Sequence, residues 1–181
     1  DTLIFGQGIK ITDVEGIRVG NDLVISFENG HDSVTLENWY INPEGVRRIE
    51  FEDGMVLEGE QMDWLVNRPP VANPDAFSTQ EHDKVAILDV NQLLANDFDL
   101  NPQDTLSVTA VYDSKLGIKV RLENGKIIYD HESISKHLSH GERLVDSFTY
   151  QVTDSRGAST TSTVTMTIEG QNNSPEVGVQ L

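Results

Sequence analysis

Asn96, Asp97, Asp99, Asn101 and Asp104 fall within nine positions of the stretch NDFDLNPQDTL. Carboxylate and amide oxygens are hard donors, and a loop that gathers several of them suits Ca2+, which takes six to eight oxygen ligands. An EF-hand starting at Asp97 would use Asp97, Asp99 and Asn101, and would then need a glycine at the sixth loop position and a glutamate at the twelfth. The sequence puts Pro102 and Val108 there. Proline has its φ fixed near the wrong sign and valine carries no donor, so the EF-hand fails. Two readings remain. Asp97, Asp99, Asn101 and Asp104 converge on a calcium ion whose shell carbonyls or waters complete, or the same side chains cap a polar turn through their own backbone. Asp75, Glu81, Asp146 and Asp154 are further candidates, each singly better accounted for as a solvated surface carboxylate.

Other chemistry is sparse. His131, His137 and His140 lie within ten residues and a pair three apart on a helical turn could hold zinc, but no acidic fourth ligand has metal-motif spacing and no His-Glu-x-x-His pattern occurs, so an exposed polar loop is the preferred reading. Cysteine is absent and the serines sit in Thr/Ser alternation typical of the wet face of a sheet, which leaves no nucleophile in a recognisable setting. Paired carboxylates are expected by chance among 30 acidic residues. The sequence is read as that of a non-enzyme. Trp39, Tyr40 and Trp64 could stack on sugar rings, although core filling suits both tryptophans better.

Charge narrows the partners. A net charge of -17 and a pI near 4.4 repel nucleic-acid backbones and anionic lipid surfaces and attract divalent cations. The 181 residues suffice for one large or two small domains, with no apolar run long enough to cross a membrane and no signal peptide. Without disulfides, an extracellular protein needs another source of stability, and bound calcium is one. The sequence is expected to be an internal piece of a longer chain.

The elements that would carry these residues are strands. Glu28-Asn29-Gly30-His31, Glu52-Asp53-Gly54-Met55 and Glu123-Asn124-Gly125-Lys126 place Asn-Gly or Asp-Gly between extended runs, the signature of tight hairpins. Period-two alternation puts Leu106, Val108, Ala110 and Tyr112 on one core face, and likewise Phe148, Tyr150 and Val152, and Val164, Met166 and Ile168. Helix is confined to short turns near Gln61 to Val66, Val90 to Leu94 and Ser133 to Leu138. Asn67-Arg68-Pro69-Pro70 reads as a stiff linker. The expected organisation is all-β: a small β-rich domain over 1–66, the linker 67–70, an antiparallel β-sandwich of about seven strands over 71–170, and a joint to the next module over 171–181.

The segment GERLVDSFTYQVTDSRGASTTSTVTMTIEGQNNSP resembles the last strands of the VCBS repeat, a bacterial cadherin-like module. The matching positions are Gly141 and Glu142, Asp146 to Tyr150, Asp154 and Gly157, Val164 to Ile168, and Gly170 to Pro175. RPPVANPDAFST with LLANDFDLNPQDTLSV is similar to the start of the same module. The opening DTLIFGQGI, with GNDLVISFENGHDSVTLENWY and RIEFEDGMV, resembles the domain that follows the nonapeptide repeats of RTX, or haemolysin-type calcium-binding, proteins. That resemblance implies that Asp1 is the last ligand, and Leu3 the buried apolar residue, of a truncated repeat. The chain departs from the pattern at Asn173, where an aspartate is common. Some related modules cleave themselves at an Asp-Pro bond, and this chain has none.

Taken together, the resemblances imply a calcium-binding, calcium-rigidified structural or adhesion module of a large secreted or surface-bound bacterial protein. Its partners would be neighbouring modules of the same chain and a cell-surface or polysaccharide ligand, with no nucleic acid and no membrane insertion. The alternative is a carbohydrate-binding accessory module of a secreted polysaccharide-active enzyme, which would need an exposed aromatic platform with convergent polar groups.

Overall fold

The computed structural model describes residues 1–171 apart from Asn29. The expected joint through Asn173 and Pro175 therefore lies outside the described residues, as does Asn29 of the expected Glu28–His31 turn, whose Gly30 has φ +69°. The chain forms two compact units, Asp1–Arg68 with Leu100–Asp104, and Pro69–Asp99 with Thr105 onward.

The first unit has two three-stranded sheets. In one, β1 (Thr2–Ile4) runs parallel to β5 (Arg48–Glu50), which pairs antiparallel with β6 (Val56–Glu58) across the turn at Asp53 and Gly54. The other is an antiparallel meander of β2 (Val14–Val19), β3 (Asp22–Phe27) and β4 (Ser33–Leu36). β2 and β3 meet through a two-residue turn at Gly20-Asn21, where Gly20 has φ +61°. A 3₁₀ turn over Gly59–Leu65 drops Met62 and Leu65 into a core built on Leu23, Ile25, Ile49 and Leu57. Trp39 is buried in this core with its Nε1 donating to the Val46 carbonyl at 3.0 Å.

The second unit is a seven-stranded sandwich. Its larger sheet has the order β7 (Asp75–Gln80), β13 (Ser159–Glu169), β12 (Arg143–Asp154), β9 (Leu106–Val111), and the smaller has β10 (Val120–Glu123), β11 (Lys126–Asp130), β8 (Val85–Asp89). Asn124 and Gly125, at φ +51° and +72°, make the two-residue turn between β10 and β11. The inner faces of β12 and β13 follow the alternation: Phe148, Tyr150 and Val152 pack against Val164, Met166 and Ile168, all essentially inaccessible.

Three expectations need correction here. The larger sheet is mixed, because β7 pairs parallel with β13. The core face of β9 does not continue to Tyr112. A bulge opposite Gln151/Val152 inserts one residue, so Val111 packs on the core while Tyr112 turns out and donates to Gln151 Oε1 at 3.0 Å. The third helical turn is only α2 (Glu132–Ser135), shorter than and ahead of the Ser133–Leu138 expected; the second is α1 (Val90–Leu93), continued by a 3₁₀ turn at Leu94–Asn96.

Candidate functional site

The acidic loop is held at both ends by backbone pairing. Asp97 N–H closes the 3₁₀ turn onto the Leu94 carbonyl, and Phe98 exchanges two backbone hydrogen bonds with Val71, at 2.8 and 3.1 Å. At the far end Leu106 starts β9 opposite Asp154, the last residue of β12, and Thr105 N–H donates to Ser155 Oγ at 3.3 Å. Asp104 directly precedes Thr105, so the β9/β12 register sets it beside Asp154.

Asp99, Asp104 and Asp154 each offer a carboxylate oxygen to one point, with these atoms all within 4.8 Å of one another. Among the described residues this is the one such grouping of metal-binding side chains. Asp154 is buried because it keeps phase with Phe148, Tyr150 and Val152 on the inner face of β12. Its Oδ1 accepts from the Arg156 and Ala158 amides at 2.8 and 3.0 Å, which fixes the plane of the carboxylate. Two carboxylate charges at this separation repel by about 3 kcal/mol at an effective dielectric near 20. A hard divalent cation turns that repulsion into attraction, and an all-oxygen donor set with no nitrogen or sulfur fits calcium.

The remaining sequence candidates go elsewhere. Asn101 is buried and its amide is engaged by backbone: Oδ1 accepts from Arg68 N–H, and Nδ2 donates to the Trp64 and Val66 carbonyls, all at 2.9 Å. It acts as a clamp on the backbone that leaves the 3₁₀ turn at Leu65. Asp97 turns from Asp99 toward Asp75. Its Oδ1 accepts from Asn73 N–H at 2.7 Å, and the Tyr150 hydroxyl lies 2.9 Å from Asp75 Oδ2 and 3.3 Å from Asp97 Oδ2. Burial pushes both carboxyls above the ordinary range; for Asp75 the charge of Asp97 adds to this and the Tyr150 hydrogen bond opposes it.

Asp146, allowed above as a surface charge, is buried for the same reason of phase as Asp154. Its Oδ1 accepts from the Leu116 and Ser147 amides at 3.0 and 2.8 Å and its Oδ2 from the Tyr129 hydroxyl at 2.7 Å. Glu81 opens the 3₁₀ turn Glu81–Asp83, and Asp1 is exposed at the start of the first unit; neither joins the group. The three histidines do not converge: His131 is fully buried, which overturns the exposed loop for that residue, while His137 and His140 are exposed. Tyr150 was missed as a polar partner because its phase on β12 reads as core.

A separate open cleft in the first unit is lined by Trp39, Tyr40, Arg47, Asp63, Trp64 and Arg68 among others. Tyr40 donates to Asp63 Oδ1 at 2.7 Å, Arg68 pairs with the other oxygen of Asp63, and the Arg47 guanidinium lies 5.1 Å from the Trp39 ring. Trp64 is only half-buried.

Residues 22–61 match the haemolysin-type calcium binding protein related domain. No curated protein is detectably similar to the chain. Among solved structures, an endo-fucoidan hydrolase from glycoside hydrolase family 107 aligns with 89% of this chain and 20% of its own length, at 13% identity and a TM-score of 0.30. Protocadherin gamma C5 EC1-3 aligns with 86% of this chain and 43% of its own, at 11% identity and a TM-score of 0.26. The chain thus spans about a fifth of the first and under half of the second, and at these scores neither likeness decides fold or function. The bacterial cadherin-like domain matches residues 67–170, more than half of the 181, and the chain belongs to that family.

Proposed function

We propose that this chain is a calcium-stiffened structural and adhesive module of a large secreted or surface-bound bacterial protein of the RTX type. The observation that carries the reading is the convergence of Asp99, Asp104 and Asp154 at the end of the β9/β12 ladder. The cadherin-like and haemolysin-type matches support it from the side of sequence. Bound there, calcium would tie the loop after Phe98 to the turn between β12 and β13, two segments that otherwise carry like charge. The module acts by being rigid, has no catalytic role, and works outside the cell beside neighbouring modules.

Calcium titration by calorimetry tests this, with Asp104→Asn as the comparison, since the substitution removes one carboxylate from the group and keeps the side chain's size. Binding in the wild type that is lost in the variant supports the site. Equal heats in both would remove it.

The aromatic cleft keeps a second reading open, that of a carbohydrate-binding accessory module. Trp64, half-buried at its edge, is the ring available to a sugar, with Glu60, Asp63 and Arg68 beside it. Retention on a polysaccharide array that disappears in Trp64→Ala, with no calcium dependence, would favour it over the spacer.

A further inference from the structure

The second unit buries one titratable ring that the calcium reading leaves unused. His131 follows β11, precedes α2 and has no accessible surface. Its ring lies against Tyr129, with centroids 5.9 Å apart at 30°. Ser135, one turn on, is equally buried, and its Oγ is 2.9 Å from both the His131 carbonyl and His131 Nδ1. The hydroxyl has one proton and the carbonyl can only accept, so that proton goes to the carbonyl and Nδ1 must donate. The ring is therefore the neutral Nδ1–H tautomer. Its Nε2 is buried and makes no hydrogen bond among the described residues.

Adding a proton at Nε2 would create a buried donor with no acceptor, and a cation in the core. The charged groups around it only partly offset this. Asp130 on β11 and Asp83 on the 3₁₀ turn Glu81–Asp83 favour the charged ring, yet burial outweighs them and holds its pKa below the ordinary histidine value. Lys84, whose carbonyl accepts the His131 N–H at 2.8 Å, is paired with Glu132 at the start of α2, at 2.8 Å. Lys136 closes α2 with a further positive charge. On the other side Asp146 of β12 is taken by the Tyr129 hydroxyl.

We infer that His131 is an acid-release switch: neutral, it locks α2 onto the end of β11, and protonated, it opens that corner of the second unit. The sign follows from linkage. A histidine whose folded pKa is depressed supports the fold fully above the ordinary value, and the support is lost as pH falls below that value toward the folded one.

The test is denaturant unfolding of the full chain at pH 7 and pH 5, with calcium chelated, for the wild type and His131→Phe. Carboxylate effects common to both proteins cancel in the ratio of their unfolding constants. That ratio, wild type over variant, should rise severalfold from pH 7 to pH 5, with a ceiling of about 25-fold for one proton bound only by the unfolded chain at the ordinary histidine pKa. A ratio independent of pH overturns the switch. Should His131→Phe not fold, nitrogen NMR of the wild type decides: the His131 ring should stay an Nδ1–H tautomer from pH 7 to pH 5 wherever α2 remains docked on β11, and a ring that takes up a proton there with α2 still docked overturns the inference.

Discussion

Asn101 holds Arg68: the Asn101 Oδ1 accepts the Arg68 backbone N–H at 2.9 Å, while the Nδ2 of the same amide donates to the carbonyls of Trp64 and Val66. One side chain thereby satisfies three backbone groups, a demand that neither a carboxylate nor a hydrocarbon can meet. Asn101→Ala should cost about 3 kcal/mol in denaturant unfolding, from lost hydrogen bonds and buried carbonyls left without donors. Asn101→Asp should fare no better, since it sets acceptors against two carbonyls. Calcium should stabilise both variants by as much as it stabilises the wild type, and a calcium response lost in Asn101→Ala would make Asn101 a ligand after all.

Calcium at tenfold over its Kd should stabilise the wild type by about 1.4 kcal/mol, a rise of several degrees in melting temperature. Asp104→Asn should abolish that rise. Asp154→Ala should lower both the rise and the calcium-free melting temperature, because it also removes the acceptor for the Arg156 and Ala158 amides. Differential scanning fluorimetry with chelator and with calcium separates the two patterns.

Tyr150→Phe removes the hydroxyl that donates toward Asp75. At pH 7 the loss should be about 1–3 kcal/mol, the cost of a buried acceptor left short of a donor. The Asp75 carboxyl is already raised by burial, and without the phenol it should rise further. A raised carboxyl favours the fold below its unfolded value, and that contribution is lost as pH rises through the folded pKa. The penalty should therefore shrink in acid. A penalty that does not change with pH would show that the Tyr150 hydroxyl does not act through the Asp75 carboxylate.

Gly170→Ala should destabilise the second unit by about 3 kcal/mol, since overpacking against backbone cannot be relieved by a rotamer change. A Cβ there would lie 2.1 Å from the Ser139 carbonyl oxygen and 3.0 Å from Leu138 Cβ. The Gly170 N–H donates to the Glu142 carbonyl, so the residue belongs to the packed body of the sandwich. A melting temperature equal to that of the wild type would show that the backbone at Gly170 is free to move away from Ser139.

The strands were legible because period-two alternation on β12 and β13 is uninterrupted, and the Asn124-Gly125 hairpin because its two residues tolerate positive φ. Tyr112 misled because the bulge that flips its face depends on pairing with Gln151, which lies 39 residues away and leaves no local mark. The site was half legible. Asp99 and Asp104 announce themselves by crowding, but Asp154 joins them through strand register, and composition cannot distinguish a carboxylate that faces such a group from one, like Asp146, that satisfies amides and a phenol. Asn101 sits in the same run as the aspartates, and only the fold shows that its amide serves the Trp64–Arg68 backbone.

The parallel pairing of β7 with β13 runs from Asp75 opposite Val164 to Gln80 opposite Glu169. Tension drawn through the backbone toward the start of β7 and away from the end of β13 pulls these neighbours along their length in opposite directions. All the hydrogen bonds of that ladder then bear load together in shear, whereas an antiparallel hairpin pulled at its open end unzips one bond at a time. Under such tension the β7/β13 pair would resist as a clamp.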